Sequence, residues 1–226
     1  FAFVSSAQQI RPRLTTPSSD HMNPSTQRQA FGLKILNAKH HAVRKLKTEG
    51  YQAEIHGNKF WNSSFLIMDH LKRNPPQRAL RVLDIGCGWG LLGLYCAKQF
   101  NARVTGIDAD PNVGPYLQLH ARTNQLAMTF EKRRFDQLTK AYLSKFDLIV
   151  GADICFWDEL AKTMFNLIRR AHTAGVGQII IADPCRTPFE KLAESCAHAF
   201  DHVERIDARL QRPVKATGDL LIVSQR

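Results

Sequence analysis

From Arg81 onward, short runs rich in β-branched residues alternate with stretches of helical length. This alternation constrains the fold more than any other feature of the sequence. The strand-like runs are RVLDI (81–85), RVTGI (103–107), TFEKRR (129–134), DLIVG (147–151) and QIIIA (178–182). Helical patterns occupy about 90–100, 112–124, 157–173 and 188–200 between and after them. Strands separated by helices pair in parallel and are covered on both faces, so the pattern predicts a three-layer α/β architecture. The ending departs from the rule. His202 to Arg209 and Leu220 to Ser224 read as strands joined only by Leu210 to Asp219, with Pro213 and Gly218 as turn residues. So short a connection, with no helix, cannot cross over to a parallel partner, so the last two strands must run antiparallel. The expectation is a seven-stranded, mostly parallel sheet with an antiparallel last pair. At 226 residues the chain is of single-domain size and shows no internal repeat.

Ahead of the sheet, Phe31, Leu33, Ile35, Leu36, Ala42, Val43 and Leu46 recur mostly at three- and four-residue spacings, which predicts one amphipathic helix from Pro24 to Gly50. A second helix is expected over 63–71, with Ser63 or Ser64 as N-cap. Residues 1–23 carry no periodic pattern and read as a disordered leader, with Met22 a possible initiator. Residues 24–76 then form an N-terminal helical extension and 77–226 the main domain. The formal charge of +11 is unevenly spread: residues 1–60 hold 9 basic and 3 acidic side chains, so the main body is only mildly basic. Its densest cluster, Lys132-Arg133-Arg134, fits a solvated strand end better than a phosphate site. Five cysteines without a C-x-x-C pair argue against a disulfide framework and point to a reducing cytoplasm. No ligand spacing suggests a metal: His40 and His41 would point apart on a helix. No apolar run approaches the ~18–20 residues of a helical bilayer span.

The chemistry is carried by Val82-Leu83-Asp84-Ile85-Gly86-Cys87-Gly88-Trp89-Gly90, a buried strand followed by a turn with glycines at alternate positions and then a helix. Removing Cβ atoms lets a ligand approach the backbone, and the helix N-terminus offers unpaired N–H groups. The spacing is G-x-G-x-G, not the G-x-G-x-x-G of dinucleotide sites. Asp84, just ahead of the loop, would repel a pyrophosphate but suits a cofactor bearing an ammonium group, such as S-adenosylmethionine. Asp108, ending the second strand, is placed to bond ribose hydroxyls, and Asp136, after the third, to meet the adenine amino group. Together they follow three successive strands at the carboxyl edge, where open α/β sheets bind ligands.

Val82 to Gly90, with Asp108 and Asp136, resembles the class I, seven-strand S-adenosylmethionine-dependent methyltransferases over about residues 55–226. The resemblance implies a Rossmann-like methyltransferase fold with S-adenosylmethionine as cofactor and Asp84, Gly86, Cys87, Gly88, Gly90, Asp108 and Asp136 around it. After the fourth strand, Asp153-Ile154-Cys155-Phe156 is similar to the D-x-x-Y segment of the family 16 protein-lysine methyltransferases, the group that includes the electron-transfer-flavoprotein β-subunit lysine methyltransferases. Adenine- and glutamine-modifying relatives carry Pro-Pro where this chain has Ile154-Cys155. Two further segments resemble that lysine group: His56 to Ser64, as G-x-x-x-W-x-x-S, and Asp183-Pro184-Cys185-Arg186, as D-P-x-R. The first implies that Trp61 lies against the cofactor. Phe156 departs from the usual Tyr, so any role needing that hydroxyl is absent.

The resulting expectation is N-methylation of a lysine side chain on a protein substrate. Asp153 would orient the acceptor amine, or else cap the helix beginning near Asp158. Phe156 and Trp157 would form an aromatic wall favouring a cation. Arg186 would pair with an acidic substrate group or with Asp183. Alternatives are a small-molecule amine N-methyltransferase, an RNA methyltransferase using the basic N-terminal segment, and a non-enzymatic cofactor-binding scaffold.

Overall fold

The computed structural model describes residues 26–53, 59–76 and 80–225. The expected leader, Met22, and His56 to Asn58 of the tryptophan segment lie outside them. The chain enters through a hairpin of β1 (Gln27–Ala30) and β2 (Leu33–Leu36). There follow α1 (His41–Thr48), α2 (Ser63–Arg73), β3 (Arg81–Ile85), α3 (Leu91–Phe100), β4 (Arg103–Asp108) and α4 (Gly114–Thr123). Next come β5 (Thr129–Lys132), α5 (Lys140–Leu143), β6 (Leu148–Ala152), α6 (Asp158–Thr173), β7 (Gln178–Asp183), α7 (Thr187–Ala199), β8 (Val203–Leu210) and β9 (Ala216–Ser224). Seven strands form one sheet in the order β5-β4-β3-β6-β7-β9-β8. The first five are parallel, and β9 runs antiparallel to both β7 and β8.

Successive residues of the central strands enter opposite layers, as the pleat requires. Ile180 and Ala182 pack with α2 and α3, while Ile179 and Ile181 pack with α6 and α7. The strand order reverses between β3 and β6, and this opens a crevice at their carboxyl ends.

The segment expected to be one helix from Pro24 to Gly50 is instead a hairpin followed by a short helix. Ala30 pairs with Leu33, leaving Phe31 and Gly32 as a two-residue turn with φ of +50° and +77°. Two left-handed residues in succession make the turn whose twist suits a hairpin. Phe31 in place of the usual Asn or Asp hides the signal. The spacing of Leu33 and Ile35, both fully buried, fits alternation as well as helical period. His40 is not inside a helix but N-caps α1, its ring accepting from Ala42 N–H at 3.2 Å, so it lies 4.4 Å from the ring of His41 rather than pointing away. At α2 the N-cap is Asn62, not a serine, and its side chain makes no cap bond.

His120, on α4, fastens the hairpin to the domain. Its Nδ1 lies 2.8 Å from the Tyr116 carbonyl, so it must carry the proton, and Nε2 accepts from Leu36 N–H at 3.2 Å. The ring also stacks on Trp89 of the glycine turn at 5.4 Å. Burial holds the imidazole below its ordinary pKa of 6.5. Below about pH 6.5 the unfolded chain takes up a proton that the native state refuses, so this group makes stability fall with falling pH, by up to about 1.4 kcal/mol per unit. Denaturant unfolding at pH ~7.5 and ~5.5 should show that loss, and His120→Gln should be less stable at the higher pH and less sensitive to the change.

Candidate active site

The turn from β3 to α3 is fixed from below. Asp84, 2% exposed, accepts from Gly93 N–H in the first turn of α3 at 2.9 Å, and burial pushes its carboxyl up to about 7. Cys87, also buried, donates its backbone N–H to the Ile107 carbonyl at 3.0 Å, tying the loop to β4. Gly90 N-caps α3 at φ +77°, where a Cβ would lie 2.6 Å from Leu117 Cγ. Gly88 differs: at φ +51°, a Cβ there would meet nothing within 4 Å. Its N–H donates to Asp108 Oδ2 at 3.0 Å, while Asp108 Oδ1 accepts from Asp110 N–H at 3.0 Å. Burial raises the Asp108 carboxyl above its ordinary value, against the pull of these two bonds.

Gly86, Gly88 and Asp108 open onto a cavity of about 410 Å³, which Asp136, Asp153, Phe156, Trp157 and Trp61 also line. The crevice at the sheet edge therefore brings together eight of the residues singled out from the sequence. Asp84, Cys87 and Gly90 are not among the lining residues; they shape the turn from beneath. Asp136 lies on a 3-10 turn (Phe135–Gln137), exposed and paired with Arg134 at 3.1 Å, which lowers its pKa. Trp157 is 49% exposed at the mouth, and Trp61 sets its edge on Phe156 with centroids 5.6 Å apart.

Asp153 and Arg186 face inward. Asp153 is 5% exposed; its Oδ2 accepts from Ser63 N–H at 3.2 Å and its Oδ1 from Arg186 Nη2 at 3.0 Å. It thus caps α2, not the helix beginning at Asp158. Arg186 Nη1 reaches Asp183 Oδ2 at 2.7 Å, and its backbone N–H donates to Asp183 Oδ1 at 2.8 Å. Burial pushes Asp183 up to about 6. The guanidinium lies over Phe156 at 4.4 Å and more distantly over Trp61 at 5.9 Å.

Arg133 and Arg134, read from the sequence as a solvated strand end, line the cavity, as do Lys59, Phe135, Glu159, Leu160 and Thr163, to which the sequence reading gave no role. Lys59 sits 4.2 Å over Trp61 and neighbours it in the chain, which was the only available signal. One group among the described residues, Cys185, Glu190 and Asp219, has the spacing of metal ligands, but the Arg205 guanidinium already bonds both carboxylates at 2.5–2.6 Å.

The residues fit S-adenosylmethionine: the backbone at Gly88 meets open cavity where a Cβ would project, Gly86 lines the same cavity with Ile154 Cγ2 packed 2.5 Å from the place of its Cβ, and Asp108 keeps lone pairs for hydroxyl donors beyond the N–H groups it binds. Gly88→Ala should project a methyl into that space and weaken binding of S-adenosylhomocysteine at least about tenfold by calorimetry. Gly90→Ala should act mainly on stability, lowering it by about 1–3 kcal/mol, because its Cβ meets Leu117 in a left-handed conformation.

Residues 82–175 match the family described as Methyltransferase domain. The chain is 31% identical over 133 residues to a phosphoethanolamine N-methyltransferase of Triticum aestivum, covering 58% of this chain and 25% of that protein. It is 28% identical over 148 residues to the electron transfer flavoprotein beta subunit lysine methyltransferase of Rattus norvegicus, covering 63% of this chain and 53% of that one. It thus spans between a quarter and about half of the length of these relatives. Magnesium protoporphyrin IX methyltransferase from Synechocystis PCC 6803, solved with bound S-adenosylmethionine, superposes with a TM-score of 0.56 at 15% identity, covering 82% of this chain and 84% of that one. Residues 82–175 thus match a methyltransferase domain, and the chain shares the overall fold of that solved methyltransferase, a seven-stranded sheet with an antiparallel last pair.

Proposed function

We propose that the chain transfers a methyl group from S-adenosylmethionine to an amine, and that the amine is a lysine side chain of a protein. One observation carries this reading: the glycine backbone with Asp108 and the aromatic pair Trp61 and Phe156 line a single cavity. Cofactor and acceptor can therefore meet without intervening protein. The similarity to a lysine methyltransferase named for a protein substrate supports the choice of acceptor.

In this reading Gly86, Gly88 and Asp108 hold the cofactor, with Asp136 at the adenine end. Bound there, S-adenosylmethionine supplies an electrophilic methyl group on a sulfonium. The protein's part is to align an unprotonated amine with that methyl and to keep water out, which is a matter of position more than of acid or base chemistry. Trp61 and Phe156 exclude water and limit the acceptor's approach, and Trp157 at the mouth offers an apolar surface to the chain that carries the amine. Cys155 is fully buried with its thiol pushed up to about 12 by burial, so it takes no part as a nucleophile.

A small-molecule amine is the second reading, favoured by the wheat relative and by Arg133 and Arg134 on the cavity lining, where a phosphate-bearing acceptor would be held. Incubation with tritiated S-adenosylmethionine and cell extract, treated in parallel with protease, RNase or ultrafiltration, separates the classes. Label lost to protease supports the protein acceptor, label in the filtrate the small molecule, and label lost to RNase a nucleic acid. Asp108→Ala should lose about 1.5–3 kcal/mol of cofactor affinity by removing a charge-assisted bond, and unchanged calorimetry would exclude its assigned role.

A further inference from the structure

We infer that Asp153 and Arg186 are positioning residues: together they clamp the N-terminal end of α2 to the ends of β6 and β7, and so fix Trp61 against Phe156 as the wall of the acceptor side of the cavity. This deepens the proposed function, since the wall matters to catalysis only if the cavity takes an acceptor.

Both carboxylate oxygens of Asp153 hold parts of the protein frame. Asp153 has each oxygen engaged from within, Oδ2 by the Ser63 N–H and Oδ1 by Arg186, and it is 5% exposed although it lines the cavity. The Ser63 bond replaces a cap that α2 otherwise lacks, because Asn62 makes no side-chain cap bond and sends its amide to the Lys215 carbonyl at 3.3 Å. Trp61 is two residues before that N–H, so Asp153 fixes where its backbone enters the helix.

Arg186 completes the clamp from the other side. Its fork bonds Asp183 at the end of β7 and Asp153 just beyond β6, strands that are neighbours in the sheet through Ala152 and Ala182. The flat face of the same guanidinium covers Phe156 at 4.4 Å. One planar cation thereby sets two carboxylates and an aromatic ring relative to one another, a task for which lysine lacks both the fork and the face. The backbone shows the same over-determination. Asp153 is held at φ +55°, uncommon for a residue with a side chain, and its N–H is stitched to the Ala182 carbonyl at 2.9 Å.

The test reads Trp61 itself. The chain has three tryptophans, so labelling with 5-fluorotryptophan gives three fluorine resonances, assigned by single Trp→Phe changes. Trp89, buried beneath the turn and stacked on Tyr116, reports the integrity of the fold. Asp153→Asn tolerates the left-handed backbone and can still accept from Ser63, but it turns an amide donor toward Arg186 or loses the cap. Both Asp153→Asn and Arg186→Gln should shift or broaden the Trp61 resonance and leave Trp89 in place. The double variant should shift it no further than either single change, because both break one unit. Arg186→Lys should not restore the wild-type signal. If Asp153→Asn does not fold, Arg186→Lys carries the same expectation alone. A Trp61 resonance unmoved in the folded variants, or shifts that add in the double variant, would overturn the clamp. None of these readings needs methyl transfer, so a chain that shows the Trp61 shift yet labels no acceptor would fail the proposed function and leave the clamp standing.

Discussion

Everything at the cavity depends on the five-residue turn between Ile85 and Leu91, which carries the chain from the end of β3 into α3 with its backbone turned to the ligand space. The buried Asp84 carboxylate makes that turn possible. It takes the Gly93 N–H, one of the N-terminal donors of α3 with no partner inside the helix, and so holds the helix start directly above the strand that leads into it. Asp108 does the same from the next strand, by accepting from Gly88. Two carboxylates from adjacent strands thus hold one loop, and only Asp108 also reaches the cavity. Both acids were expected beside the cofactor; Asp84 supports the turn from beneath, and Asp108 both holds the turn and lines the cavity.

Trp89 extends this dependence outward. Lying in the same turn, it is buried against Tyr116 and His120 of α4, and His120 in turn bonds the backbone of Leu36 on β2. The hairpin is therefore connected to the glycine loop through two side chains. A fold of this kind needs its loop rigid, because backbone N–H groups bind a ligand well only when they are already aimed. Packing an aromatic stack under the loop achieves this without placing any side chain in the cavity.

The parallel core was legible because each βα unit is local in sequence and states its own period: strand ends and helix starts from Arg81 to Ala199 fall within one or two residues of expectation, apart from the four-residue α5, which was not expected. The antiparallel ending was legible because its connection is too short for a crossover, although β9 starts at Ala216 rather than Leu220 and takes in Gly218, expected in the turn but paired with Ala208. The hairpin was not. Its strands are four residues each, and four residues with apolar positions at 33, 35 and 36 fit either period. What decides the matter is the left-handed pair Phe31 and Gly32, together with contacts to α3 and α4 some sixty to ninety residues away, and neither is visible in local spacing.

The two halves of the cavity differ in how the chain builds them. The cofactor side comes from β3, β4 and the turn after β5, consecutive units whose acids and glycines form a readable motif. The proposed acceptor side comes from Lys59 to Ser63, from Asp153 to Trp157 and from Asp183 to Arg186, three segments joined by the Ser63–Asp153 hydrogen bond, the Arg186–Asp153 ion pair and ring contacts. Each such segment tolerates change in one member so long as the others still pack. Phe156 can therefore stand where the resembling family carries Tyr and keep the wall, losing a hydroxyl but not a surface. A motif is legible when its parts are consecutive and each has one chemical task. The cofactor side meets that condition. The acceptor side distributes its task over three segments, so its residues could be listed from the sequence, but the inward direction of Asp153 and Arg186 emerged only from the geometry.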